Sequence, residues 1–425
     1  MKLPIITSEA ELTHRLVRRR QTLDAMAPSV ETILARVRND GDAALRELTE
    51  QYDGIEVADL AVPPTVLAQA KKGLPQDVMA ALSAAADNIR RFNEAVRPRS
   101  TSLTQPDGTE VARRWRPINR VGAYIPGGRY PLLSTVLMNV IPAQVAGVRE
   151  IAVCTPPGPA GYPSATILGV CAFLGIEEVY QVGGAQAVGA LAYGTETIRP
   201  VDKITGPGNA YVAQAKQLVS ATVSIDMLAG PTEVVVLADR SANPRWVAGD
   251  LISQAEHDPM AWPVLITDSP DLAREVNRCL DELLVNLSTR ATAEASLLGN
   301  GLVFLGSDWA ACLAAVNTIA PEHLCLQTDQ PDQWLDEVQA GAIFVGGSTP
   351  VAWGDYWAGP NHILPTAGQA RFRGPLSVSD FLVPYSVIKA TRAATSSSGL
   401  QVMILAEQEG LAGHALSIAL RREDA

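Results

Sequence analysis

The sequence predicts an α/β fold with two parallel-sheet domains, an N-terminal helical region and a C-terminal helical arm. Three observations carry this. A chain of 425 residues, 47% hydrophobic and 19% charged, is too long for one ordinary core and has the balance of a well-packed globule. Its first hundred or so residues read as helices. From Arg116-Pro117 onward, short β-branched runs alternate with Ala-rich helical stretches, the pattern of strands joined by crossover helices.

In chain order, Ser8-x-x-Glu11 is a capping-box pattern ahead of Leu12 and Leu16. Pro28-Ser29 opens a second helix through Val30, Ile33, Leu34 and Val37, and Gly41 is placed to end it. Pro75 starts a third, with Val78, Leu82, Ile89 and Phe92 as its stripe, ending before Pro98. Strands are expected at Ile151–Cys154, Val179–Val182, Glu233–Ala238, Val264–Thr267, Leu302–Leu305, Leu324–Gln327 and Ala342–Val345. Asn243–His257 is expected to be a helix, with Pro244 in its first turn and Trp246, Val247, Leu251 and Ile252 as its apolar face. From Leu376 the tail is short on strand signal and ends in a helix, Gly399–Arg422, carrying Glu409 and His414. The expected divisions are 1–115 (helical, packing with the second α/β domain), 116–238 (first α/β domain), 239–375 (second) and 376–425 (arm).

A net charge of −11 argues against nucleic acid or an anionic membrane as partner, since either would want a basic face. No run approaches eighteen apolar residues, and Met1-Lys2-Leu3-Pro4 does not begin a signal peptide. Cys154, Cys171, Cys279, Cys312 and Cys325 are odd in number and widely spaced, as expected of reduced, buried thiols in a cytoplasmic protein.

Histidine is scarce, and its placement points to chemistry. Of five, four lie in the second half beside acidic or amide residues: Gln254-Ala255-Glu256-His257, Glu322-His323, Asn361-His362, and His414 five residues after Glu409. Gly354-Asp355-Tyr356 lies just ahead of His362. Imidazole suits both metal ligation and proton transfer near neutral pH, so one assembled polar site is expected. For any single histidine, a surface or capping role serves equally well. Gln254 and His257, three apart, share one side of a helix's last turn, whereas Glu256 points elsewhere. Glu322 and His323 could divide proton transfers between them, or Glu322 could simply hold the ring. Three glycine-rich loops lie at strand–helix junctions: Tyr124-Ile125-Pro126-Gly127-Gly128, Gly183-Gly184-Ala185-Gln186 and Gly206-Pro207-Gly208-Asn209. Such loops admit a phosphate to free helix N–H groups, or are ordinary turns. None is G-x-G-x-x-G.

At these residues the chain resembles the histidinol dehydrogenase family. The resemblance is carried by Val121-Gly122-x-Tyr124-x-Pro126-Gly127-Gly128, Ser134-Thr135-Val136-Leu137-Met138, Gly183-Gly184-Ala185-Gln186-Ala187, and Val201-Asp202-Lys203-Ile204-x-Gly206-Pro207-Gly208-Asn209. It continues through Ile225-Asp226-Met227-x-Ala229-Gly230-Pro231, Ser253-Gln254-Ala255-Glu256-His257, Pro321-Glu322-His323-Leu324, Gly354-Asp355-Tyr356, Asn361-His362-x-Leu364-Pro365-Thr366 and Glu409-x-Leu411-x-x-His414. It implies two incomplete Rossmann-like domains and a two-step, NAD-dependent oxidation of L-histidinol through L-histidinal to L-histidine. One zinc ion per subunit is implied on Gln254, His257, Asp355 and His414, positioning the substrate. His323 is implied as general base and Glu322 as the group activating water. Cofactor contacts map to Tyr124, Gln186 and Asn209, and substrate contacts to Thr232, Gln254, His257, His323, Asp355, Glu409 and His414. The implied assembly is a homodimer in which the C-terminal arm completes the other subunit's site, and Thr395–Ser398, only Thr and Ser, is read as freeing that arm. His362 carries no implied role and is read as structural. Thr232 stands where the family usually has Ser. Two other readings are a paralogue oxidising another polar alcohol, such as a sulfonated diol, and a zinc-bound regulatory protein without turnover. The intact Glu322-His323 and Glu409–His414 sets speak against both.

Overall fold

The computed structural model describes residues 2–24, 27–127, 130–228 and 230–423. Gly128 and Ala229, quoted in two of the motifs, lie outside the described residues. In chain order the strands are β1 (Ile5–Ile6), β2 (Thr101–Thr104), β3 (Glu110–Pro117), β4 (Arg120–Tyr124), β5 (Glu150–Cys154), β6 (Glu178–Tyr180) and β7 (Lys203–Thr205). They continue with β8 (Ser224–Ile225), β9 (Glu233–Ala238), β10 (Trp262–Thr267), β11 (Leu302–Leu305), β12 (His323–Gln327), β13 (Ala342–Val345) and β14 (Leu382–Lys389). Two parallel sheets result, ordered β6-β5-β4-β7-β8 and β1-β11-β10-β9-β12-β13, with a three-stranded antiparallel sheet β14-β3-β2 beside them.

Both parallel sheets are covered on both faces, so their strands are almost wholly apolar. In the first, Val121, Ala123 and Val153 face a core built with the helices Pro64–Lys72, Gln76–Ala95, Leu133–Ala146 and Ala165–Phe173. Tyr124, Ala152, Cys154 and Ile204 face the other way, onto Ala27–Asp53, Gly184–Tyr193 and Ala210–Val219. In the second sheet Val234, Val236, Leu265, Val303 and Cys325 meet the helices Pro244–Ala255, Pro270–Leu284 and Arg290–Gly299. Val235, Leu237, Ile266, Leu324 and Leu326 meet Leu12 and Leu16 of Glu9–Asp24 and the helix Trp309–Ile319.

Several expectations are corrected here. β9 falls in the second sheet, between β10 and β12, not in the first domain. The two-residue β8 that closes the first sheet is too short to signal the change. The helices from Ala27 to Ala95 pack on the first sheet, and only β1 and Glu9–Asp24 join the second. Gly41 does break its helix, at φ 52°, but the chain resumes helically at once. The Asp42 N–H donates to Glu196 Oε2 at 2.8 Å, and the Asp42 carboxylate accepts from Thr197 N–H at 3.2 Å. The tail holds an eight-residue strand, β14, paired along its whole length with β3. Thr395–Ser398 lies inside the helix Arg392–Gln408, where Thr395 and Ser396 hydroxyls donate to carbonyls four residues back. Glu409 and His414 sit on opposite sides of a break at Gly410 (φ 74°), not on one helix. Trp246 is 53% exposed and does not join the apolar face of its helix. All five cysteines are buried and free. No helix among the described residues is long and apolar enough to cross a membrane.

Candidate active site

The polar cluster forms at the N-terminal edge of the second sheet. A crossover helix between parallel strands must run back against them, so Pro244–Ala255, joining β9 to β10, delivers its last turn to the edge where β9 and β12 begin. Asn243 starts that helix by accepting the Arg245 N–H at 2.9 Å. Gln254 therefore arrives beside Thr232, Glu233, Glu322 and His323.

Their bonding is specific. Gln254 Nε2 donates to Thr232 Oγ1, and Thr232 Oγ1 donates to Glu322 Oε2 at 2.6 Å. The Glu233 N–H donates to the same carboxylate oxygen at 2.8 Å. His323 Nδ1 lies 3.1 Å from the Glu233 carbonyl, which can only accept, so Nδ1 carries a proton. Nε2 is buried without a hydrogen-bond partner and sits 3.9 Å from Asp355 Oδ1. Burial disfavours the imidazolium, yet Glu322, with Nδ1 3.5 Å from its Oε2, and Asp355 outweigh it and push His323 up to about 9. Burial likewise works against a charged Glu322, but His323, Thr232 and the Glu233 N–H hold its carboxyl below the usual range. Carboxylate and imidazole thus each favour the other's charged form.

Asp355 comes from the short helix Val351–Tyr356 and is half-buried. His362 fixes it: Nδ1 donates to the Asp355 carbonyl at 3.0 Å, and Nε2 lies 3.3 Å from Thr135 Oγ1. Burial lowers the His362 pKa. Asn361 Nδ2 donates to the Met138 carbonyl at 2.6 Å. Both contacts dock the Asp355 loop onto the helix Leu133–Ala146 of the first domain, bringing the polar edge of one sheet toward the loops of the other.

Those loops lie at the C-terminal edge of the first sheet, where strand order reverses between β4 and β7 and parallel sheets bind ligands. Tyr124 ends β4, and its hydroxyl accepts the Gly184 N–H at 3.2 Å. Gln186 follows β6, buried in the first turn of Gly184–Tyr193. Asn209 follows β7 and caps Ala210–Val219 by accepting the Val212 N–H at 3.1 Å. A Cβ on Gly206 would lie 2.0 Å from the Tyr124 carbonyl oxygen, so only glycine permits this approach.

The metal-ligand set expected from the sequence is only partly assembled. Gln254 is buried against Thr232, Asp355 is half-buried near His323 and His362, and His257 is exposed but close enough to His362 to act on its charge. Glu409 and His414 are exposed on the arm. Among the described residues of one chain, no three His, Cys, Asp or Glu side chains converge as a metal site. The nitrogen and oxygen donors present are of the types that hold zinc.

Sequence reasoning did not single out Glu233. It starts β9 fully buried; Oε1 accepts from Glu322 N–H at 3.3 Å and Ala367 N–H at 3.1 Å, while its backbone serves both Glu322 and His323. A carboxylate opening a β-branched run, Glu233-Val234-Val235-Val236, was the available signal.

The model of the family "Histidinol dehydrogenase" matches residues 16–422. The chain belongs to the histidinol dehydrogenase family. Its sequence is 44% identical over 424 residues to the histidinol dehydrogenase of Moorella thermoacetica, covering 99% of this chain and 100% of that one. It is 45% identical over 402 residues to that of Halalkalibacterium halodurans, covering 94% and 95%. The crystal structure of histidinol dehydrogenase from Elizabethkingia anophelis superposes with a TM-score of 0.92 at 33% identity, covering 100% of this chain and 98% of that one. The apo betaine aldehyde dehydrogenase from Staphylococcus aureus shares the fold alone, with a TM-score of 0.51 at 11% identity over 90% and 88% of the two chains. The protein is thus a dehydrogenase with the α/β architecture of its family.

Proposed function

We propose that this dehydrogenase is a zinc-containing, NAD-dependent cytoplasmic enzyme that oxidises L-histidinol through L-histidinal to L-histidine, in the last steps of histidine biosynthesis. The observation that carries the reading is His323: one ring nitrogen is committed to the Glu233 carbonyl, and the other is buried, unpartnered and turned toward Asp355.

Gln254, His257 and Asp355, with His414 of a second subunit, would hold the zinc ion. When bound, zinc would hold the substrate's imidazole and amine nitrogens and offset the Asp355 charge that helps keep His323 protonated. NAD would lie along Tyr124, Gln186 and Asn209 and accept hydride. His323 Nε2 takes the hydroxyl proton as hydride leaves the carbinol carbon, giving the aldehyde. Glu322, held between Thr232 and the Glu233 N–H, activates the water that hydrates the aldehyde. His323 then takes a proton from the hydrate as the second hydride leaves. The first oxidation releases one NADH and one proton, and the second one NADH and two protons, since its product is the carboxylate. Glu409 supplies a carboxylate that accepts from the N–H groups of the substrate amine, and Thr232 a hydroxyl near it.

The homodimer is supported by what one chain leaves uncovered. β14, β2 and the arm expose Ile388 (73%), Leu103 (60%), Leu405 (66%), Leu416 (58%) and other large apolar side chains. Around Asp355, Trp353, Tyr356 and Trp357 are exposed as well. Apolar surface of that extent marks an interface. The test is turnover: purified protein with L-histidinol and NAD should yield about two NADH per histidinol and lose activity with chelators, in keeping with a metal-dependent site. Turnover of a sulfonated diol but not of histidinol would reassign the substrate. Absence of turnover with zinc bound would favour the regulatory reading.

A further inference from the structure

The motif Ile225-Asp226-Met227 contributes no side chain to the site as described, yet Asp226 belongs to one of the most buried charge pairs in the molecule. Its carboxylate pairs with Lys216 Nζ, and the two residues are 6% and 1% exposed. Exchanging a buried ion pair for apolar side chains often costs nothing, so stability alone is a weak reason for this one. Its geometry offers another. Lys216 Nζ donates to the Gly206 carbonyl at 3.0 Å, while Asp226 Oδ2 accepts the Gly206 N–H at 2.7 Å. Those two groups belong to the two peptide planes on either side of Gly206, so the pair fixes both of its backbone dihedrals. Gly206 sits at φ 112° against the Tyr124 carbonyl, and a glycine has the widest choice of other conformations. Asp226 is itself anchored. Its Oδ1 accepts the Met227 N–H at 2.5 Å, and Arg373 donates to its carbonyl at 2.7 Å.

We propose that Lys216 and Asp226 are positioning residues for the dinucleotide: their buried pair holds the Gly206-Pro207-Gly208-Asn209 loop in its binding shape. The inference rests on the reading that NAD binds along this loop. Neither residue touches the cofactor; they act through Gly206.

The experiment compares Lys216→Met/Asp226→Leu, which removes both clamps and leaves no orphan charge, with Asn209→Ala and Tyr124→Phe. The folded double variant should show an NAD KM raised about tenfold, the order expected for two lost hydrogen bonds, with kcat within about twofold. Its histidinol KM and zinc content should not change. Lys216→Met/Asp226→Asn keeps an acceptor for the Gly206 N–H and should raise the NAD KM about threefold, serving also if the first variant does not fold. If Asn209→Ala and Tyr124→Phe raise the NAD KM but both double variants keep the wild-type value, the positioning role is wrong. A parallel loss of zinc, histidinol binding and thermal stability would make the pair merely structural and also overturn it. If Asn209→Ala and Tyr124→Phe leave NAD binding unchanged, the placement of the cofactor fails first.

Discussion

His323 gives one nitrogen to a backbone carbonyl and keeps the other buried and bare, and this asymmetry defines its chemistry. With Glu322 and Asp355 facing it, the ring holds its proton up to about 9. NMR titration of the metal-depleted protein should therefore find the His323 imidazolium persisting above pH 8, as the raised value requires. In Glu322→Gln the value should fall. The sign follows from linkage: a raised histidine stabilises the fold below about 6.5 and loses that contribution as pH rises through about 9. A ring that titrates at or below the ordinary histidine value would remove the charge pair from the account. Thr232 is the second residue whose role is sharp, since it joins Gln254 to Glu322. Thr232→Val should lower kcat/KM about tenfold by breaking both hydrogen bonds, whereas Thr232→Ser should stay near wild type. Glu322→Gln should impair the aldehyde step more than the alcohol step, read separately in single-turnover half-reactions; equal losses would show that the two residues do not divide the work. At this scale the sequence was legible where rare residue types cluster, as at Glu322-His323. It was silent on Glu233, because a carboxylate at a strand start reads as ordinary solvated polarity.

At the scale of elements, direction decides function. The helix Pro244–Ala255 carries Gln254 to the β-sheet edge where His323 begins β12, because a parallel crossover has no other return path. The expected strands Leu302–Leu305 and Ala342–Val345 are found with those bounds, since continuous apolar runs bounded by glycine or polar residues have few other readings. β7, β8 and β1 have two or three residues each, and no periodicity shows in so few. β14 escaped notice because its side chains are mostly exposed, so it lacks the apolar run of the buried strands. The opposite edge of the first sheet is built for stability. Arg120 at the start of β4 donates to Glu178 at the start of β6 and Glu150 at the start of β5. The Arg120 hydrogen bonds outweigh burial and pull Glu178 down to about 2. The stability it contributes is present above its unfolded value near 4.5 and is lost as pH falls through about 2. Urea midpoints of Glu178→Gln should therefore lie below wild type at neutral pH and converge with it between about pH 4.5 and 2. A gap that does not close on acidification would assign the loss to something other than the carboxylate charge.

For the whole molecule, one chain alone does not complete a site on the proposed reading. Its first sheet offers loops at the C-terminal edge, its second gathers Gln254, Glu322 and His323 at the N-terminal edge, and Asn361 and His362 pin the two together. Glu409 and His414 remain exposed on a helical hairpin that follows β14. The expected looseness at Thr395–Ser398 is absent, so the arm is held out by a strand and a formed helix. Two parallel-sheet domains were legible in the alternation of strand and helix. The boundary between them was not, because β9 resembles every other buried strand in composition. The measurement that tests the shared site most directly mixes two inactive variants, His323→Ala and His414→Ala, under conditions that exchange subunits. Each mixed dimer then has one site with both lesions and one with neither, so activity should return to at most about half of wild type by two-fold symmetry. If exchange is verified and no activity returns, each site is built within one chain and the account of a completing arm is wrong.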